Sequence, residues 1–223
     1  ISDLKEEIFG PVLHVATFKS RELDDVIDAI NATGYGLTFG LQTRIDDRVQ
    51  HVCDRIHAGN IYVNRNQIGA IVGSQPFGGE GLSGTGPKAG GPRYLPRFTK
   101  QSFNRPESVS AGEADMTAVQ ELIDQMTSDS LPPLDSEDLP GPTGESNRLT
   151  ALPRGVVLCL GPDATSAEAQ MQEVVAHGCP AVAVAPGVKA IEGAVALDGS
   201  LSAQDLASLT GFASVCYWGA AGD

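Results

Sequence analysis

The chain has 223 residues, 41% of them hydrophobic and 19% charged, which fits one or two globular domains with buried cores and excludes a disordered tail. Its formal charge of −13 argues against nucleic acid, because phosphate binding needs clustered Lys and Arg, and none are clustered here. No apolar run reaches the roughly 18 to 20 residues needed to cross a bilayer. The N-terminus carries neither a start methionine nor a signal-peptide profile, so the sequence reads as part of a longer polypeptide.

From Pro11 the pattern alternates between strands and helices. The apolar run Pro11–Phe18 reads as a buried strand. Ser20 is placed to cap a helix with Leu23, Val26, Ile27 and Ile30 on one face, ended by Gly34. Leu37–Thr43 is a second strand. Val49, Val52, Cys53 and Ile56 then mark a second amphipathic helix, stopped by Gly59, and Asn60–Asn64 is a third strand. This β-α-β-α-β order predicts a sheet with parallel strands and helices packed on it.

Gly69 to Gly91 holds nine glycines and two prolines, so it reads as a long loop. A loop of this length in a compact domain is functional or a linker, and Ile68, Ile71, Val72, Phe77 and Leu82 favour an ordered one. Within it Gly79, Gly81 and Gly84 spell G-x-G-x-x-G. That pattern has meaning only between a strand and a helix, and neither flank fits, so a chance match is the better reading.

Between Pro106 and Asn147 there are ten acidic residues and no Lys or Arg, the profile of a solvated connector, with one helix over Met116–Met126. A second α/β region begins near Leu152. Val156–Leu160 and Ala181–Ala185 read as strands, Thr165 with Glu168 as a capping box, and Ser202 with Asp205 as the start of a further helix before Phe212–Trp218. The turn Leu160-Gly161-Pro162 has a single glycine, which favours ordinary β-α packing over nucleotide binding there.

Cys53, Cys159, Cys179 and Cys216 are far apart among apolar neighbours. They read as buried thiols in a reducing cytoplasm, not as metal ligands. His51 and His57, six apart, fall on different faces of a helix, so no metal site is expected.

Three strings resemble the aldehyde dehydrogenase superfamily: Glu6-Glu-Ile-Phe-Gly-Pro-Val12, Gly59-Asn-Ile-Tyr-Val-Asn-Arg-Asn66 and Gln75-Pro-Phe-Gly-Gly-Glu-Gly-Leu-Ser-Gly84. The longer run from Gly69 to Pro92 is similar to the pyrroline-5-carboxylate dehydrogenase branch and its bifunctional proline-catabolic members. Together with the composition, the resemblance implies an α/β chain in three parts. Residues 1–100 would be the C-terminal part of the catalytic domain, a parallel-rich sheet with helices. Residues 101–149 would be the acidic connector, and 150–223 an incomplete Rossmann-like domain.

For individual residues the resemblance implies that Glu7 accepts hydrogen bonds from the nicotinamide ribose of NAD and that Phe9 packs beside the cofactor. It also implies that the Gly69 and Ala70 backbone amides hold the carboxylate of glutamate semialdehyde while Phe77 packs on its aliphatic part. A bulky side chain at Gly69 would then crowd the loop and raise KM. From the residues alone, Glu6 and Glu7 are a solvated acidic pair and Gly69–Phe77 a surface turn with an aromatic plug. Glu80, Lys88 and Arg93 read as solvent-facing or structural.

The family's nucleophilic cysteine, oxyanion-stabilising asparagine and basic glutamate all match positions upstream of Ile1, so no catalytic residue is carried onto this chain. The parent implied is a cytoplasmic homo-oligomer that also carries an FAD-dependent proline dehydrogenase module, with peripheral membrane association through quinone reduction. A second reading, from a different class, is a non-catalytic assembly or oligomerisation module.

Overall fold

The computed structural model describes the chain apart from residues 2, 5, 7, 68, 101–104, 129, 130 and 221–223. It divides into two compact units, Ile1–Lys100 with Asp138–Asn147, and Gln101–Glu137 with Arg148–Asp223.

In the first unit a 3-10 turn, Ser20–Glu22, leads into α1 (Leu23–Asn31). Ser20 does not cap this helix, contrary to the sequence expectation. Because the chain enters through the 3-10 turn, Glu22 instead accepts from the Lys19 backbone N–H at 3.0 Å, and the Ser20 hydroxyl accepts from Arg48 at 3.1 Å. Gly34, with φ +75°, ends the helix as its lack of a Cβ allows. Strands β1 (Tyr35–Gly36) and β2 (Thr38–Leu41), helix α2 (Asp46–Arg55) and strand β3 (Asn60–Val63) follow.

β2 and β3 pair in parallel, with Phe39 opposite Ile61, while β1 pairs antiparallel with the short β4 (Glu80–Gly81). Ile27, Val52 and Ile56 form the buried centre, with Leu23, Ile30, Phe39, Leu41 and Ile61 packed on it. Burying a side chain of this size contributes about 2 kcal/mol. Asn31 fastens the two helices: its amide donates to the Arg55 carbonyl at 2.8 Å and its oxygen accepts from the His57 N–H at 2.9 Å.

Residues 11–18 form no strand. Leu13 and Val15 are more than four-fifths exposed. An apolar pattern states what a segment can bury, but a strand also needs a backbone partner, and none of the described strands pairs with this one.

The second unit starts with α3 (Met116–Met126), capped by Asp115, whose carboxylate accepts from the Thr117 and Ala118 N–H groups at 2.9 and 3.4 Å. Strands β5 (Asp135–Leu139) and β6 (Asn147–Ala151) make a separate two-stranded sheet. Then come β7 (Val157–Cys159), α4 (Ala164–Ala176), β8 (Ala181–Val184), β9 (Ala194–Leu197), α5 (Ala203–Ser208) and β10 (Ser214–Cys216). The sheet runs β10-β7-β8-β9 with every pair parallel.

Cys159, Ala181, Ala183 and Met171 pack on the α4 side of this sheet. Leu158, Val182, Val184, Val119 and Ile123 pack on the α3 side. With both faces covered, β7 and β8 are buried throughout, which explains their unbroken apolar sequence. α4 is capped by Asp163, which accepts from the Ser166 N–H at 2.7 Å, and not by Thr165, which falls inside the first turn. A Cβ on Gly161 would lie 2.9 Å from Ala167 Cα, so this glycine lets the helix close onto its strand.

Candidate functional site

The loop after β3 is ordered by a chain of hydrogen bonds. Asn64 takes a left-handed conformation, φ 55°, which asparagine tolerates, and its side chain accepts from the Thr43 N–H at 2.9 Å. Tyr62 is 5% exposed, and its hydroxyl donates to the Gly69 carbonyl at 2.9 Å. That fixes one side of the Gly69 peptide. Gly69 itself has φ +110°, and a Cβ placed on it would meet no atom within 4 Å. Ala70 is exposed.

A tight turn follows, closed by reciprocal Ile71 and Gln75 backbone bonds of 3.2 and 2.7 Å. Gly73 donates across to the Gly90 carbonyl at 3.1 Å, and Phe77 exchanges two backbone bonds with Ala89 at 2.9 and 2.8 Å. The loop is therefore a folded flap over its own second half. Phe77 is half-buried on it.

Gln75 is 7% exposed. Its amide donates to Glu145 at 2.6 Å and to Asn147 at 3.3 Å, and Glu145 also accepts from Arg65 at 2.9 Å. The Arg65 guanidinium lies 5.4 Å from the Tyr62 ring centroid, a cation–π distance. Neither Gln75 nor Glu145 was picked out by sequence reasoning. Glu145 belongs to the acid-rich stretch that composition assigns to a solvated connector, yet it is buried enough to bind two donors.

Of the sequence-predicted residues, Gly69, Ala70 and Phe77 lie on this one loop. Phe9 is 88% exposed and lies outside any helix or strand, and Glu7 lies outside the described residues. Of the two readings given for Lys88, solvent-facing or structural, the second holds: it is half-buried, with its ammonium on the carbonyls of Gly59 and Gly78. Burial lowers its pKa, an effect that the nearby Glu80 carboxylate opposes.

The three glycines of the G-x-G-x-x-G string serve local packing. Gly81 (φ +54°) pairs with Tyr35 in the β1–β4 ladder. Gly84 donates to the Gly81 carbonyl at 3.0 Å, and a Cβ on Gly79 would lie 2.7 Å from Ser83 Cβ.

All four cysteines are free. Only Cys159 is fully buried, and its thiol is pushed up to about 12 chiefly by that burial. Burial also raises Cys53 and Cys216. A raised pKa is the opposite of what activates a thiol nucleophile, so these three thiols are not of that kind. Among the described residues no three His, Cys, Asp or Glu side chains could hold a metal ion together, and no helix is long and apolar enough to cross a membrane.

Residues 2–103 match the model of the aldehyde dehydrogenase family, and through this segment the chain belongs to that family.

More particularly, it is similar to the bifunctional protein PutA. It is 43% identical over 206 residues to that of Klebsiella aerogenes, covering 79% of this chain and 15% of the relative. To that of Rhizobium meliloti it is 44% identical over 205 residues, covering 85% of this chain and 17% of the relative. The 1-pyrroline-5-carboxylate dehydrogenase of Bacillus subtilis is 50% identical over 92 residues, 41% of this chain and 18% of that protein. A crystal structure of a Bradyrhizobium japonicum proline utilization A variant is 61% identical over 44% of this chain and 10% of that one, with a TM-score of 0.43. The chain thus spans less than a fifth of the length of these relatives.

Proposed function

We propose that this chain is the substrate-anchoring part of a longer bifunctional enzyme that oxidises proline with FAD and then glutamate semialdehyde to glutamate with NAD. The observation that carries this reading is the Gly69 peptide. Its carbonyl is tied down by Tyr62 and the space around its Cα is open, so the backbone beyond it is presented at fixed orientation. Backbone N–H groups in such a setting bind a carboxylate without a mobile charged side chain.

Phe77, held by Ala89 on the same loop, supplies apolar contact for the methylene carbons of the substrate. The sequence relationship to 1-pyrroline-5-carboxylate dehydrogenase supports the substrate class. Phe9 offers an exposed ring, which fits a side chain that packs beside a nicotinamide, and Glu7 would accept from the ribose hydroxyls. NAD, when bound, takes up the hydride. The chain's own contribution is to orient the aldehyde by its far end and to leave the attack to groups elsewhere in the polypeptide. FAD, on this reading, belongs to the proline dehydrogenase module elsewhere in the longer polypeptide.

The full-length polypeptide should form NADH from pyrroline-5-carboxylate, with kcat/KM on the order of a hundredfold above that for an aldehyde of similar length lacking the carboxylate, an energy difference of about 3 kcal/mol. The 223-residue chain alone should form none. NADH formation by the isolated chain, or equal rates for both aldehydes, would overturn the reading.

A further inference from the structure

The loop that presents Phe77 is fixed to the sheet by a half-buried cation. Lys88 Nζ donates to the Gly59 carbonyl, to the Gly78 carbonyl at 2.8 Å and to Asn60 Oδ1 at 3.3 Å, so all three ammonium hydrogens have acceptors. Asn60 completes the node. Its amide donates to the Pro76 carbonyl at 2.9 Å, and its oxygen also accepts from the Gly78 N–H at 3.1 Å. Both residues flanking Phe77 are thereby tied to the first residue of β3.

The packing at this point leaves no slack. A Cβ on Gly59 would overlap the Gly78 carbonyl, and one on Gly91 would come within 3.1 Å of Pro76. Burying an ammonium is costly unless its hydrogens are bonded, and an apolar side chain of equal length would fill the same volume. What the ammonium adds is a fixed geometry, because it bonds three particular acceptors.

We infer that Lys88 is a positioning residue, which sets the place of Phe77, and so the grip on the aldehyde, by clamping Pro76–Gly78 to the start of β3. This rests on the proposed role of the loop in binding substrate.

The test uses the full-length polypeptide with Lys88→Met and Phe77→Ala. Amide hydrogen exchange at Phe77 and Ala89 is measured together with KM and kcat for glutamate semialdehyde and KM for NAD. Lys88→Met should accelerate exchange at both amides about tenfold and raise the aldehyde KM about tenfold, with kcat and the NAD KM within about twofold. Asn60→Ala, which removes three bonds of the same node, carries the test if Lys88→Met does not accumulate as folded protein.

Unchanged exchange would overturn the clamp. Accelerated exchange with an unchanged aldehyde KM, where Phe77→Ala does raise KM, would overturn the positioning role. If neither variant moves KM while exchange accelerates, the substrate reading of the loop fails and the clamp on Phe77 stands.

Discussion

Glu145 accepts a hydrogen bond from Arg65 at 2.9 Å across 80 residues of sequence, and the same carboxylate oxygen accepts from the buried Gln75 amide at 2.6 Å. One acidic side chain therefore joins the end of β3 to the turn that follows Gly69. Gln75 Oε1 is already buried without a partner, so its amide depends on this contact, with Asn147 as its other acceptor.

Glu145→Ala should destabilise the protein by about 1–2 kcal/mol. Most of this comes from leaving a buried amide donor poorly bonded. The Arg65 pair adds little, since both side chains keep 30% and 27% of their exposure and such pairs are screened by solvent. Urea denaturation reads the difference. A midpoint equal to that of the unsubstituted protein would show that the carboxylate is not holding the turn.

Much of this architecture was legible in the sequence, and what was not has identifiable causes. α1, α2 and α3 follow from apolar spacing, and β7 and β8 from buried runs whose length rules out a helix. β5 was hidden because Asp135-Ser-Glu-Asp is made of residues depleted in strands, and four of its five positions are exposed. β9 is four apolar residues behind a glycine turn, too short for periodicity to resolve. The segment 11–18 misled for the opposite reason, an apolar pattern without a strand to pair with. Gly69 and Phe77 could be reached through a family likeness. Glu145 and Lys88 could not, since a carboxylate 70 residues from Gln75 and a lysine in a glycine run carry no local signal of the partners that folding gives them.

The α1–α2 surface carries a pH-dependent contact. Asp24 lies 2.6 Å from His51 Nε2 and 2.6 Å from Arg55, and its pKa is lowered from 3.8, first by the hydrogen bond from His51 and further by the Arg55 charge, against a raising effect of desolvation. A carboxylate with a folded pKa below its unfolded one contributes stability that is present above the unfolded pKa and lost as pH falls through the folded value. Asp24→Asn should therefore lower Tm at pH 6, where the contribution is complete, and leave Tm unchanged at a pH below the folded pKa, where it has gone. A Tm difference that stays constant from pH 6 down through that range would exclude Asp24 as its source.

At Gly69 the structure alters the expected cause of a substitution's effect. Crowding is not available, because a Cβ there meets nothing within 4 Å. The constraint is the φ of +110°, a conformation that costs a residue with a side chain about 1–3 kcal/mol. The Tyr62 hydroxyl holds the Gly69 carbonyl in place, so relief of that strain has to rotate the peptide and move the N–H groups proposed to face the substrate carboxylate. Gly69→Ala is then sufficient, and Gly69→Val should do little more. Both variants of the full-length polypeptide should raise KM for glutamate semialdehyde by a similar factor of about 10, with kcat nearly unchanged, since the lost contact is made equally in the ground and transition states. A much larger effect for Val than for Ala would return crowding as the cause, and an unchanged KM in both would remove Gly69 from the substrate site.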